Sequence, residues 1–371
     1  MPDMNDDERD RDLLGRPPMP ERDGGVADNV VAEEVTSIEA REVAGLSQGR
    51  IVFRRFIRNR AAMIALIVLV LTAILAYSSV GIDAFGIKIP GWWKWGWTSP
   101  LPPVNDGNPT LTLWPFSLGE HPFGQDPVGR DMFANVMRGT QQSLMVTVVI
   151  GLIATAIGVV AGALAGYYRK LIDAFVMRIT DVVLIIPVLV IGAVVGSMSQ
   201  NIGLNIGSFG LALFLGFVSW PSLARFVRAE FLSLREREFV DAARMAGAGD
   251  ARIIFRHILP NAVGVIIVNA TLLMAAAILL ETALDYLGFG VRAPDTSLGL
   301  LISQYQDAFT TSPWLFWWPG IFIIIIALTI NFIGDGLRDA FDPRQKRKIG
   351  RKVHVEKKQV PAPVTPTPGV S

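Results

Sequence analysis

Five uncharged runs dominate the hydropathy pattern, at 61–80, 143–168, 182–224, 258–280 and 308–334. A helix needs about 20 mostly apolar residues to cross a bilayer. The third run, 43 residues long, has room for two such helices. Its polar interruption at 200–208, QNIGLNIGS, reads as the turn between them. The pattern therefore predicts an all-α integral membrane protein with six spans, near 61–80, 143–166, 182–198, 209–224, 262–281 and 316–334. No span has an ionisable side chain at its middle; Glu281, Asp285, Asp181 and Asp335 all fall near span ends.

Charge between the spans sets an orientation. Lys and Arg number 25 in the segments 41–60, 167–179, 224–261 and 335–358, and five on the other side. Under the positive-inside rule both termini and the 238–261 loop are cytoplasmic. The chain is 51% hydrophobic and contains no Cys, so disulfides and thiolate metal sites are excluded. No cleavable signal is expected, because the first apolar run starts only after about 60 residues and is long enough to remain as an anchor.

The chain reads as four regions. Residues 1–48 are acidic and poor in aromatics, and read as a disordered cytoplasmic extension. Residues 49–139 hold the first span and an extracytoplasmic loop, 140–335 the transmembrane domain, and 336–371 a basic and then Pro-rich cytoplasmic tail. The outer loop carries Trp92, Trp93, Trp95, Trp97 and Trp114. Their clustering favours an interfacial aromatic belt over a contact surface for an extracellular partner.

The segment EFVDAARMAGAGDARIIFRHILPN, 238–261, is charged yet lies between spans. Phe239, Ala242, Ala243 and Ala246 recur at helical spacing and form one small, smooth face, flanked by Glu238, Asp241 and Arg244. Gly247 should reverse the chain in the left-handed region. Asp250 should cap a second short helix, 251–258, which Pro260 closes. The alternative, an amphipathic linker resting on the membrane, gives no reason for that spacing of Ala-Ala, Gly and Leu-Pro.

Asp241-Ala242-Ala243, Gly247 and His257-Ile258-Leu259-Pro260 resemble the EAA motif of binding-protein-dependent ABC importer permeases. Asp241 stands where Glu is usual and His257 where Ile is usual; the His-Ile-Leu-Pro-Asn ending resembles the oligopeptide/dipeptide/nickel branch. HPFGQDPVGRDMF (121–133), GYYRKLIDAFVMRITDVVLIIP (166–187), ETALDYLGFGVRAPDTSLG (281–299) and GDGLRDAFDPR (334–344) resemble further blocks of that branch, in order. In the second block Arg169-Lys170 replaces common glycines. The position of the first span and the long outer loop resemble the C-type subunit.

The resemblance implies a type I importer permease fold with a cytoplasmic coupling hairpin, a second homologous permease subunit, two ABC ATPase subunits or domains, and an extracytoplasmic substrate-binding protein. It places ATPase coupling on Glu238, Asp241, Ala242, Ala243, Arg244, Gly247, His257, Leu259 and Pro260. The implied cargo is di- or oligopeptides, with nickel or another small solute as the alternative. No Gly-Lys pair occurs among the eight lysines, so a P-loop is absent and ATP hydrolysis is expected on partner chains. No catalytic residue, cofactor, metal or nucleic-acid partner is expected. A membrane enzyme lacks a visible catalytic cluster, and a gradient-driven carrier lacks mid-membrane carboxylates.

Overall fold

The computed structural model describes residues 48–84, 87–114, 116–201 and 207–341. All but the last residue of the expected extension 1–48, the tail beyond 341 and most of the 200–208 turn lie outside them. The chain divides into two units, Met1–Ile51 and Val52–Ser371, and the helix bundle belongs to the second.

Helix α1 (Gln48–Arg58) leads into α2 (Arg60–Ser79), the first span. Asn59 starts α2 as its N-cap, its side-chain oxygen accepting from the Ala62 N–H at 3.3 Å. Two short antiparallel ribbons come next: β1 (Ile82–Ala84) with β2 (Ile87–Ile89), and β3 (Thr112–Leu113) with β4 (Phe116–Ser117). The second span, α3, runs from Met132 to Tyr168, far longer than the expected 143–166. Its extra turns carry Arg138, Gln141 and Gln142, whose polarity hid them from a hydropathy reading; all three are buried.

The third and fourth spans are broken. Helices α4 (Lys170–Ile185) and α5 (Val188–Asn201) meet at 74°, and α6 (Gly207–Ser219) and α7 (Pro221–Arg235) at 41°. The breaks fall at Pro187 and Pro221, where a missing N–H removes the helical bond to the carbonyl four residues earlier. The fifth span belongs to a continuous helix, α9 (Asp250–Tyr286), preceded by the short α8 (Glu238–Met245). Helices α10 (Leu298–Tyr305) and α11 (Trp314–Phe341) complete the bundle. Among the described residues four helices are long and apolar enough to span, and counting each bent pair as one span gives the expected six.

Lipid is as apolar as a leucine side chain, so helices in a bilayer associate by close packing, which small residues allow. Gly158, Gly162 and Gly166 line one edge of α3 against α7. A Cβ on Gly162 would stand 2.5 Å from the Ala224 carbonyl oxygen, and one on Gly166 would stand 2.6 Å from the Phe231 Cβ. The seam between α4 and α7 is polar instead. Asp173 pairs with Arg228 at 2.5 Å, Asp181 with Arg225 at 2.6 Å, and Glu236 with Arg169 at 2.5 Å. At the other end of α9 lie two fully buried carboxylates, one tied to α3 and one to the adjoining loop. Glu281 accepts from the Ser143 hydroxyl at 2.9 Å, while Asp285 accepts from the Ser297 hydroxyl and from the Val291 N–H at 2.7 Å.

Candidate functional site

The hairpin opens with α8 and ends in a tight reversal. The Gly247 N–H donates to the Arg244 carbonyl at 2.9 Å and the Ala248 N–H to the Ala243 carbonyl at 3.0 Å. This double bond pattern is a Schellman cap, and it needs a residue at positive φ. Gly247 supplies that with φ 80°, as its position in the sequence suggested. Nothing lies within 4 Å of where its Cβ would stand, so backbone conformation alone selects glycine there.

The faces of α8 differ from the expected ones. Val240 is buried and Ala243 half-buried, both against Ile253, Ile254 and Ile258 of α9 and Phe231 of α7. Ala242 and Ala246 are exposed, Met245 is 84% exposed and Phe239 39%. Ala243 therefore belongs with the protein's own core, and the open apolar face is Phe239, Ala242, Met245 and Ala246. Glu238, Asp241 and Arg244 are also exposed, and Arg244 donates to Asp241 at 3.3 Å. Met245 was missed by the sequence reading; its place three residues after Ala242 on a helix was the available signal.

Two further expectations are corrected. Asp250 is no side-chain cap: α9 starts after Gly249 without one, and the Asp250 carboxylate instead accepts from the Tyr167 hydroxyl at 2.7 Å. That bond ties the start of α9 to the end of α3, where Arg235 also donates to the Tyr167 carbonyl. Pro260 does not close a helix. A π-turn over Ile253–Ile258, with Leu259 N–H donating to the Ile254 carbonyl, widens the spiral just before the proline, and the helix runs on to Tyr286. The second helix of the hairpin is thus the first part of the fifth span. His257 and Leu259 are half-buried within this turn and Pro260 is exposed. The structure brings Glu238 through Gly247 together on the hairpin, with His257, Leu259 and Pro260 about two to three turns along α9.

At the opposite end, the 121–133 block folds into a buried polar knot. His121 Nδ1 and Asp131 Oδ2 lie 2.6 Å apart. Asp131 also caps α3, accepting from the Ala134 N–H at 2.7 Å and from the Trp93 indole at 3.0 Å. Burial pushes its carboxyl above the ordinary carboxylate range, against those hydrogen bonds. Asp126 accepts from Arg130 Nε at 2.7 Å and from the Tyr305 hydroxyl at 2.8 Å. Burial, reinforced by the Asp126 charge, keeps that phenol neutral. Trp93 and Trp95 pack into this knot. Trp95 stacks on His121 at 5.4 Å and donates to the Glu120 carbonyl, and Trp97 lies under the Arg138 guanidinium at 4.9 Å. Trp114 alone is almost fully exposed, on the β3–β4 turn.

Among the described residues no group of three metal-ligating side chains forms. The arrangement offers docking surfaces and a helix bundle with two broken spans. Residues 158–347 match the family of binding-protein-dependent transport system inner membrane components. Residues 47–81 match the N-terminal transmembrane domain of oligopeptide transport permease C. The chain belongs to this family.

As a permease subunit of an ABC importer, it is similar over most of its length to curated relatives. The oligopeptide transport system permease protein OppC of Mycobacterium tuberculosis is 36% identical over 305 residues, 81% of this chain and 96% of that one. A putative peptide permease protein of Brucella ovis is 38% identical over 298 residues, 78% of this chain and 89% of its own. A chain of the MetNI methionine ABC transporter, in an inward-facing conformation, aligns at 21% identity and a TM-score of 0.48, covering 57% of this chain and 98% of that one.

Proposed function

We propose that this chain is the C-type subunit of an importer that moves di- and oligopeptides inward, with ATP hydrolysis on two separate ATPase subunits. A second homologous permease completes the path, and an extracytoplasmic binding protein delivers the cargo. The near end-to-end similarity to oligopeptide permeases supports the peptide reading. The Lys and Arg bias supports an orientation with both termini and the hairpin in the cytoplasm.

The observation that carries the coupling role is the open apolar face of α8. Phe239, Ala242, Met245 and Ala246 are exposed on a helix whose other face is fixed to α9 and α7. Small side chains let a partner's groove approach the backbone, and the rim of Glu238, Asp241 and Arg244 orients it. ATP closure of the partner pair then shifts the pore between two states, by as much as its affinity for them differs. Gly247 fixes the reversal, and His257, Leu259 and Pro260 carry the displacement into the fifth span.

The test is the reconstituted complex carrying Ala242→Asp. Insertion and thermal unfolding should match the wild type, while ATP-driven peptide uptake falls at least tenfold, on the order of the penalty for a buried unpaired charge at an interface. Uptake equal to wild type in that variant would remove the docking role from α8.

A further inference from the structure

A cavity of about 640 Å³ lies at the outer end of the bundle, between α3, the facing ends of α5 and α6, and the loop Phe289–Asp295. Its lining divides by chemistry. Met145, Val149 and Leu211 form an apolar side, while Gln142, Arg138, Asp295 and Arg292 form a polar one.

Most of the polar side is already satisfied. Asp295 accepts from Arg138 Nε at 2.8 Å and NH2 at 2.9 Å, from Gln142 Nε2 at 2.5 Å and from the Thr296 N–H at 3.1 Å. Arg138 gives its remaining NH1 to Gln141 at 3.1 Å. The pair is electrically neutral and fully engaged. Two groups are left over. Gln142 Oε1 is a buried acceptor without a hydrogen-bond partner, on a side chain only 8% exposed. Arg292 is exposed at the same cavity and forms no ion pair among the described residues. The site therefore presents one unsatisfied acceptor, one unneutralised cation and an apolar wall.

We propose that this cavity binds the carboxyl-terminal end of a short peptide, an inference that rests on the peptide reading above. The terminal carboxylate pairs with Arg292, an amide N–H donates to Gln142 Oε1, and the last side chain packs on Met145, Val149 and Leu211. A peptide end supplies all three features at once. A phosphate group matches Arg292 but brings no donor for Gln142, and an apolar chain leaves both polar groups unpaired. Contacts to a terminus and a backbone amide ignore side-chain identity, apart from the one that meets the wall. The site would then accept many sequences and reject peptides whose carboxylate is blocked.

The experiment uses the complete importer in nanodiscs of neutral lipid, without binding protein, titrated with Ala-Ala-Ala and with its carboxyl-terminal amide. The free acid should bind about tenfold more tightly than the amide, the size of one charge-assisted hydrogen bond. Arg292→Gln should remove that difference, weakening the acid about tenfold and leaving the amide unchanged. Gln142→Met, which keeps the side-chain volume, should weaken both alike. If Arg292→Gln weakens both peptides equally, or neither, the assignment is wrong. It is equally wrong if phosphatidylglycerol, and no peptide, binds in an Arg292-dependent way. Uptake by the whole importer separates the two readings. Wild-type uptake of Ala-Ala-Ala with no binding at the cavity sinks this site alone, and no peptide uptake by the wild type sinks the peptide reading with it.

Discussion

Arg228 and Asp173 meet through two parallel hydrogen bonds, Nε to Oδ1 at 2.5 Å and NH2 to Oδ2 at 2.6 Å, joining α7 to α4. A planar guanidinium facing a carboxylate in this way fixes orientation as well as distance. Since α4 is the first arm of a span bent by 74°, the pair pins that arm to its neighbour.

Replacing Asp173 with Ala should lower stability by about 1–2 kcal/mol, a charged hydrogen-bond pair discounted for partial exposure. Thermal unfolding of the detergent-solubilised chain measures it, and high salt should shrink the difference. An unchanged midpoint would show that α4 is held by packing alone.

Gly162 sits where α3 and α7 come closest. Gly162→Val would force a branched side chain against the Ala224 carbonyl and the Val227 Cβ, 2.7 Å away. The expected cost is about 3 kcal/mol or more, since both helices must separate. Gly247→Ala, where there is space and only φ opposes, should cost about 1 kcal/mol. Equal effects of the two changes would contradict the packing account.

Lys170 comes directly after Arg169, and both adopt positive φ, 49° and 58°. A side chain in that region costs about 1 kcal/mol or more. Lys170→Gly should therefore leave stability unchanged or raise it by about 1 kcal/mol, because relieved strain offsets the extra freedom of the unfolded chain. A clear drop in the unfolding midpoint would mean that the lysine side chain makes a contact worth more than the strain.

Asp131 predicts a dependence on pH. Its carboxyl is raised by burial, so the folded knot binds a proton more tightly than the unfolded chain does. The stability this contributes is fully present below the ordinary Asp value and fades as pH rises through the raised one. Asp131→Asn keeps an acceptor for the α3 cap and for Trp93 but cannot titrate. Tracked by tryptophan fluorescence, the wild type should gain stability relative to Asp131→Asn as pH falls from neutral into the acid range; parallel curves would reject the assignment.

The apolar runs made the first, fifth and sixth spans legible, and Gly247 announced its reversal. What escaped was decided by partners distant in sequence. The first turns of α3 look too polar to span, yet Gln141 donates to the Ala76 and Gly81 carbonyls and Arg138 meets Asp295. The indoles of Trp93 and Trp95 are claimed by Asp131 and the Glu120 carbonyl, which a local cluster of tryptophans does not reveal. Asp250 has the residue type of a cap, but Tyr167 reaches it first. Pro260 has the signature of a helix end, and only the π-turn before it allows the helix to pass. Of the residues proposed for coupling, Ala242 and Gly247 are exposed on the hairpin, whereas Ala243 turns inward with Val240 onto the isoleucines of α9.

That π-turn has a mechanical consequence. Because the proline is accommodated and not used as a stop, Asp250 to Tyr286 is one rod of 37 residues, about 55 Å at 1.5 Å per residue. One end is anchored to Tyr167 beside the hairpin; near the other, Glu281 is tied to Ser143 of α3 and Asp285 holds the loop at Val291 and Ser297. A stiff rod does not dissipate a push along its length. On a rod of that length, a tilt of a few degrees at the hairpin end would displace Asp285 sideways by several ångströms.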